Sequence, residues 1–252
     1  MKITDNIYMM ELTMNMGGIE SVIHPTLIWD DNNVILVDAG LPGGLSGIQE
    51  EMIKAGVSYD KLEKIIITHQ DMDHIGGLPE IIKESDHKIE VIAHEDDKPY
   101  IQGEKKLNKM TPERMAQLQE QLKSMPEEQR NAMQKLFQNP PKAKVDETVK
   151  DEFELPYCGG IRIIHTPGHT PGHIVLYLKQ SKILIAGDML NIIDGELVGP
   201  NPQHTIDMDS AIKSLQKLTQ YDIEKIITYH GGLYTENPNQ KIAELIKENN
   251  SN

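Results

Sequence analysis

The sequence predicts an α/β protein in which two β-sheets pack face to face with helices outside them. Short apolar runs of strand length alternate with stretches of helical period, and they do so in two similar halves of the 252-residue chain. In both halves a His or Asp follows directly on an apolar run, as expected if strand ends from the two halves converge at a seam.

In the first half, Leu27-Ile28-Trp29, the turn cluster Asp30 to Asn33, and Val34 to Asp38 form a hairpin signature. A helical pattern carrying Ile48, Met52 and Ile53 then stops at Gly56, a plausible left-handed cap. A strand over 64–68 delivers a loop rich in His and Asp. Gly76-Gly77 opens a short helix through Ile82, and a strand near 89–93 ends at His94.

Residues 96–150 differ. They are rich in Gln, Lys, Glu and Met and hold no strand-like run, and two helices with an early proline start at Thr111-Pro112 and Met125-Pro126. The first carries Met115, Leu118, Leu122 and Met125 at helical spacing, and the second carries Ala132, Met133, Leu136 and Phe137. Asn139-Pro140-Pro141 ends them. This segment reads as a helical insertion or lid over the site within one domain spanning 1–252, and Met-rich spacing alone is also ordinary core spacing. In the second half, 161–164, 174–178, 183–185 and 225–228 are strands. Helices begin near Asp207, with Ile212, Leu215 and Leu218 on one face, and at Asn237-Pro238.

The run Thr68-His69-Gln70-Asp71-Met72-Asp73-His74 packs four potential ligands behind the strand Ile65-Ile66-Ile67. Imidazole and carboxylate suit zinc, iron or manganese. Further candidates, each after an apolar run, are His169, Asp188 and His230, which together make a dinuclear metal centre the best reading. His173, four residues past His169, and Asp38, at the end of a strand, are expected to support ligands rather than bind. His94 and His165 are pocket-lining candidates whose simpler reading is ordinary hydrogen bonding. His24, His87 and His204 carry no supporting pattern.

Composition narrows the partners. Asp and Glu number 39 against 25 Lys and Arg, so the chain carries −14 and argues against nucleic acid and anionic membrane surfaces. Aromatics make up only 4%, so the core must be aliphatic. Cys158 is the single cysteine and is expected to be a buried or half-buried thiol, without a disulfide framework. The N-terminus lacks a signal-peptide pattern, and no run approaches the roughly 20 apolar residues of a membrane span. The expectation is a cytoplasmic protein with a small-molecule substrate, with a homodimer left open.

Val37-Asp38-Ala39-Gly40, the His69–His74 motif, Thr166-Pro167-Gly168-His169-Thr170, Gly187-Asp188 and His230 follow one another in the order of the metallo-β-lactamase fold superfamily, which the chain resembles. The resemblance implies a four-layer αββα sandwich of two mixed β-sheets with one or two metals along one edge. It implies His69 and His169 at a first metal, Asp73, His74 and His230 at a second, and Asp188 bridging. It also implies two divalent ions, with zinc leading, and hydrolysis of a small ester, lactone or thioester by a metal-bridging hydroxide, with Asp73 orienting the hydroxide or moving its proton.

Asp71 departs from the family's H-x-H-x-D-H pattern by standing where the second His is usual. As a ligand it adds a third carboxylate beside Asp73 and Asp188, which favours the harder ions Fe or Mn. It resembles the flavodiiron variation and keeps two rivals open, a diiron redox protein and a metal-binding fold with degraded catalysis. Among the hydrolase branches, the lactonase-like tyrosine near the bridging Asp is absent from Met189-Leu190-Asn191-Ile192, leaving Tyr229 as a substitute. About 22 residues follow His230, too few for the helical domain of glyoxalase II.

Overall fold

A computed structural model describes residues 1–16 and 19–250. Two mixed sheets stack face to face. The first has seven strands in the spatial order Lys2–Thr4, Ile7–Met9, Thr26–Trp29, Val34–Val37, Lys64–Ile67, Glu90–His94 and Glu147–Val149. Its first four are antiparallel neighbours and the last four run parallel. The second sheet has six strands: Glu154–Leu155, Ile161–His165, Ile174–Leu178, Ile183–Ile185, Lys225–Thr228 and Gly232–Tyr234. Only Ile183–Ile185 and Lys225–Thr228 pair in parallel there.

The alternation of each strand sets the layers, because successive side chains point to opposite faces. Ile35, Val37, Ile66 and Ile92 of the first sheet meet Ile163, Leu176, Ile185 and Ile227 of the second in an aliphatic inter-sheet core. Leu36, Ile65, Ile67 and Val91 point outward, where helices Leu45–Ala55 and Leu78–Glu84 cover them through Ile48, Met52, Leu78 and Ile81. Ile164, Val175, Leu184 and Ile226 take the opposite outer face under helices Met208–Lys217 and Pro238–Asn250. This is the αββα arrangement expected, with the aliphatic core that scarce aromatics require.

Several expectations change in detail. Helix Leu45–Ala55 ends at Gly56 in the left-handed region (φ 78°), but Ile53 points to solvent at 74% exposure. It sits one position beyond Met52, a rotation of about 100° away from the buried stripe. The segment 96–150 does contain a strand. Glu147–Val149 pairs in parallel with Glu90–His94, with Glu147 opposite Ile92, and forms the edge of the first sheet. Its Glu-Thr-Val sequence lacks the apolar run that marks the other parallel strands, because an edge strand has less surface to bury.

The two helices of the segment, Pro112–Leu122 and Glu127–Gln138, stand where the prolines place them, and Thr111 Oγ1 caps the first by accepting from the Arg114 amide. Leu122 is the only buried residue in the two. Met115, Leu118 and Phe137 instead line a cavity of about 300 Å³ that reaches Asp71 and Asp73.

Candidate metal centre

The first ligand loop leaves the strand Lys64–Ile67 under firm control. The Thr68 amide donates to Asp38 Oδ1 and its hydroxyl to Asp38 Oδ2, both at 2.8 Å. Asp38 itself holds a left-handed backbone (φ 63°), a conformation that Asp tolerates better than most residues. Past His69, the expected open loop becomes a helical turn at Met72–Ile75, with the amides of His74 and Ile75 donating to the Asp71 carbonyl. The turn brings Asp73 and His74 to one side of a cleft, with Asp71 and His69 beside them.

Loops of the second sheet close the cleft from the other side. His169 follows the strand Ile161–His165, Asp188 follows Ile183–Ile185, and His230 follows Lys225–Thr228. Gly187 is left-handed (φ 50°), and a Cβ there would stand 2.8 Å from His173 Nε2, so the strand turns toward the cleft only with glycine at this point.

The seven predicted ligands gather into two adjoining groups. His69, Asp71, His169 and Asp188 offer ligand atoms within 4.8 Å of one another, and so do Asp73, His74 and His230. Asp71 Oδ2 lies 3.2 Å from His69 Nε2 and 3.0 Å from His169 Nε2. Asp73 Oδ2 lies 3.2 Å from His230 Nε2. Asp188 faces both groups: Oδ2 is 3.3 Å from His169 Nε2, while Oδ1 is 3.2 Å from His74 Nε2 and 3.5 Å from His230 Nε2.

The supporting pair also sits close by. Asp38 Oδ2 is 2.9 Å from His74 Nδ1. His173 is fully buried, with Nδ1 2.8 Å from Thr166 Oγ1 and Nε2 accepting from the Asp188 amide at 3.2 Å.

Asp97 and Lys109 escaped sequence reasoning. Asp97, buried completely, accepts from the Gln70 amide (2.9 Å), Gln70 Nε2 (2.9 Å), Thr170 Oγ1 (2.8 Å) and the Gly172 amide (2.8 Å). It therefore ties the loop of His69 and Asp71 to the loop of His169. Its only signal is its position three residues past a strand end. Lys109 reaches in from the segment before helix Pro112–Leu122, and its ammonium contacts Asp71 Oδ2 and lies 2.6 Å from His169 Nε2.

Two candidates fall away from the cleft. His94 and His165 stack on each other, ring centroids 3.8 Å apart, and His165 Nε2 bonds the Pro171 carbonyl, so neither lines the cavities at the centre. Burial, with His165 alongside, lowers the His94 pKa to about 4. Tyr229 is buried, stacks on His74 at 3.8 Å, and donates its hydroxyl to the Asp73 carbonyl at 2.5 Å. That places it behind the ligands, so it does not substitute for a tyrosine facing substrate.

Burial would raise the carboxylates, yet the imidazoles and the ammonium around them outweigh it. Asp71 is held well below the usual range by His69, His169 and Lys109, and Asp188 by His74, His230 and His169. Burial lowers His69 to about 4, with the His74 charge adding to it. His74 goes the other way: burial opposes its charge, but Asp38, Asp188 and Asp73 hold it well above the usual histidine value. The site thus keeps carboxylates ionised in a buried place, which calls for positive charge.

The donor set meets that need. Nε2 of His69, Nε2 of His74 and Oδ1 of Asp188 are buried without a hydrogen-bond partner, since the nearby carboxylate contacts lie off hydrogen-bonding geometry. Orphaned buried atoms are costly in a native site unless something absent from the polypeptide satisfies them. Imidazole and carboxylate atoms converging this way fit divalent cations. The cleft opens on a cavity of about 760 Å³ that includes Asp71, Asp73, His169, Asp188 and His230.

The sequence model of the metallo-beta-lactamase superfamily matches residues 20–230. The chain belongs to this superfamily. Among its relatives within the superfamily, "Probable metallo-hydrolase YflN" of Bacillus subtilis is 27% identical over 236 residues, covering 87% of this chain and 82% of the relative. "Hydroxyacylglutathione hydrolase GloC" of Haemophilus influenzae is 26% identical over 216 residues, covering 83% and 85%. The crystal structure of metallo-beta-lactamase family protein TTHA1429 from Thermus thermophilus superposes with a TM-score of 0.71 at 21% identity, over 99% of this chain and 81% of that one. The superfamily member described here thus shares its fold with that structure, and its ligand motifs fall within or at the edge of the matched segment.

Proposed function

We propose that this superfamily member is a metal-dependent hydrolase of a small ester, lactone or thioester. His69, Asp71 and His169 would hold one divalent ion, Asp73, His74 and His230 a second, and Asp188 would be shared. The observation that carries the reading is Asp188, whose two oxygens face different His groups at the mouth of one cavity. Bound there, the ions supply Lewis-acid polarisation of a carbonyl and an acidified water.

The chain's own residues supply the rest. Asp73 Oδ2, half-open to the cavity beside His230, is placed to orient a water and to take or return its proton. Asp38 fixes the ring of His74 and His173 fixes the Asp188 backbone. Ile192, Ile193, Val198, Met208 and Leu245 give the cavity an apolar wall suited to the carbon part of an acyl group, with Asn191 and His204 as polar points. The names of YflN and GloC support hydrolysis, and GloC's name points to a thioester.

The test is a panel of thioesters, lactones and simple esters offered to protein loaded with zinc, and separately with manganese. Turnover of one class, lost in Asp73→Ala, is expected. No turnover of any class by loaded protein, or an Asp73→Ala variant with full activity and metal content, sinks the reading.

Asp71 favours a second reading, a diiron redox centre. Its carboxylate lies among the first group's ligands, where it lowers the net charge that a histidine would leave. Elemental analysis separates the two: predominantly iron supports the redox centre, and zinc with turnover of an ester removes it.

A further inference from the structure

Lys109 reaches one side of the first group, where it takes up two of the four residues that would hold an ion. Its ammonium touches Asp71 Oδ2 and lies 2.6 Å from His169 Nε2. Its side chain is 13% exposed, and among the described residues no lysine or arginine contacts the second group of Asp73, His74 and His230.

The placement is built into the fold. Gln70, between His69 and Asp71, accepts the Asn108 amide on Oε1 at 2.8 Å, and the same Gln70 is gripped twice by Asp97. Leu107 is buried and the Met110 amide donates back to its carbonyl. The backbone of Lys109 is therefore tied to the ligand loop through Asn108 and closed into a turn by the bond from Met110 to Leu107, which leaves its four-carbon stem free to turn.

An ammonium donates protons, and His169 Nε2 can give its lone pair to a lysine or to a metal but not to both. Two cations held by one carboxylate oxygen at such range also repel strongly. We infer that Lys109 is a built-in competitor for the first ion, occupying the Asp71–His169 position in the metal-free protein and turning aside when an ion enters. The inference rests on reading these groups as metal sites, and it makes them unequal. Among the described residues no lysine or arginine contacts the second group, while an ion entering the first must displace the Lys109 ammonium.

The lysine answers the Asp71 substitution: a carboxylate in place of a histidine leaves an anion that needs a partner when the ion is away. Displaced, the ammonium has room in the 300 Å³ cavity that Lys109 lines with Arg114 and Met115.

A site that is competent for only one-tenth of the time binds about tenfold more weakly. Calorimetric titration of metal-free protein with Zn²⁺ alone tests this. Wild type should bind one ion tightly and one more weakly, with His169→Ala removing the weak event and His230→Ala weakening the tight one. Lys109→Met should strengthen the weak event by about tenfold or more. Lys109→Gln, which keeps a polar head without the charge, should do the same.

Thermal unfolding gives a readout that a purely structural lysine would not. Lys109→Met should lower the Tm of the metal-free protein and leave that of the zinc-loaded protein unchanged. Equal isotherms for wild type and both variants, or an equal loss of Tm with and without zinc, overturns the proposal and leaves the metal centre standing. No zinc bound by any of the proteins overturns the metal centre, and the proposal with it.

Discussion

Asp38 holds His74 from behind, its Oδ2 2.9 Å from Nδ1, so that Nε2 of the same ring is left to point into the cleft. The carboxylate also takes both the amide and the hydroxyl of Thr68, which fixes the ligand loop to the strand end. A carboxylate behind a histidine sets its tautomer and raises its basicity. Asp38→Asn keeps the size and tolerates the left-handed backbone (φ 63°) while removing the charge. We expect metal affinity to fall about 10–100-fold, with a far-ultraviolet spectrum unchanged. Wild-type affinity in this variant would show that Asp38 serves the backbone alone.

Asp97→Ala tests the tie between the two ligand loops. Four donors, from Gln70, Thr170 and Gly172, would lose their buried acceptor. Unsatisfied buried donors cost about 1–3 kcal/mol each, so even partial rehydration leaves a loss of about 3 kcal/mol or more. Urea unfolding of the metal-free protein measures it, and a change below about 1 kcal/mol would mean the loops are held by other contacts.

Tyr229→Phe distinguishes a supporting tyrosine from one that meets substrate. The hydroxyl donates to the Asp73 carbonyl, so its removal should cost about 1 kcal/mol of stability and change kcat by less than about tenfold. Burial, with Asp38, Asp73 and Asp188 nearby, pushes the phenol well above its ordinary value, so no tyrosinate should contribute near neutrality. A collapse of kcat at unchanged stability and metal content would put the hydroxyl on the reaction path.

Asp30 gives a pH dependence away from the metal centre. Burial opposes its ionisation, but Asn33, the Asn32 amide and the Cys158 amide bring its pKa from 3.8 down to about 2. A lowered folded-state pKa contributes stability above the unfolded value, and that stability is lost as pH falls from 3.8 toward 2. Asp30→Asn should therefore flatten the acid limb of a Tm-against-pH curve in this window. An unchanged limb would assign acid unfolding to other carboxylates.

Cys158 should be inert while the chain is folded. It is 8% exposed, and burial, with Asp30 beside it, pushes the thiol up to about 12. At pH 8 only about one molecule in ten thousand then carries the thiolate, the reactive form. Alkylation by iodoacetamide should be at least about a hundredfold slower in native protein than in urea. Comparable rates would mean that the turn carrying Cys158 opens readily.

What the sequence reveals depends on how locally each feature is encoded. Ile65-Ile66-Ile67 and Ile183-Leu184-Ile185 announce parallel strands because both their faces are buried, and the His and Asp after them announce where those strands point. The strands Lys2–Thr4 and Ile7–Met9 are three residues each, too short for a period to show in the sequence. Glu147–Val149 carries no strand signal for a related reason, since an edge position relaxes the demand for apolar side chains. Asp97 and Lys109 reach their partners across 27 to 75 residues, and nothing near them in the chain records the destination. Helix starts at Thr111 and Asp207 were plain because the cap and its amide are three residues apart.

Each group of ligands draws on both sheets. Asp71 and His169 are 98 residues apart, and neither half of the chain can complete a group alone. A cation seated there acts as a removable cross-link between the sheets, closing a long loop that is otherwise held by side-chain packing. With an ion bound, the folded chain and the ion would form a single thermodynamic unit. Free ion at about 100 times its dissociation constant would add about 2.7 kcal/mol to resistance against unfolding, and a chelator would withdraw it. Ion supply in its surroundings would therefore set how long this protein lasts as well as how fast it works.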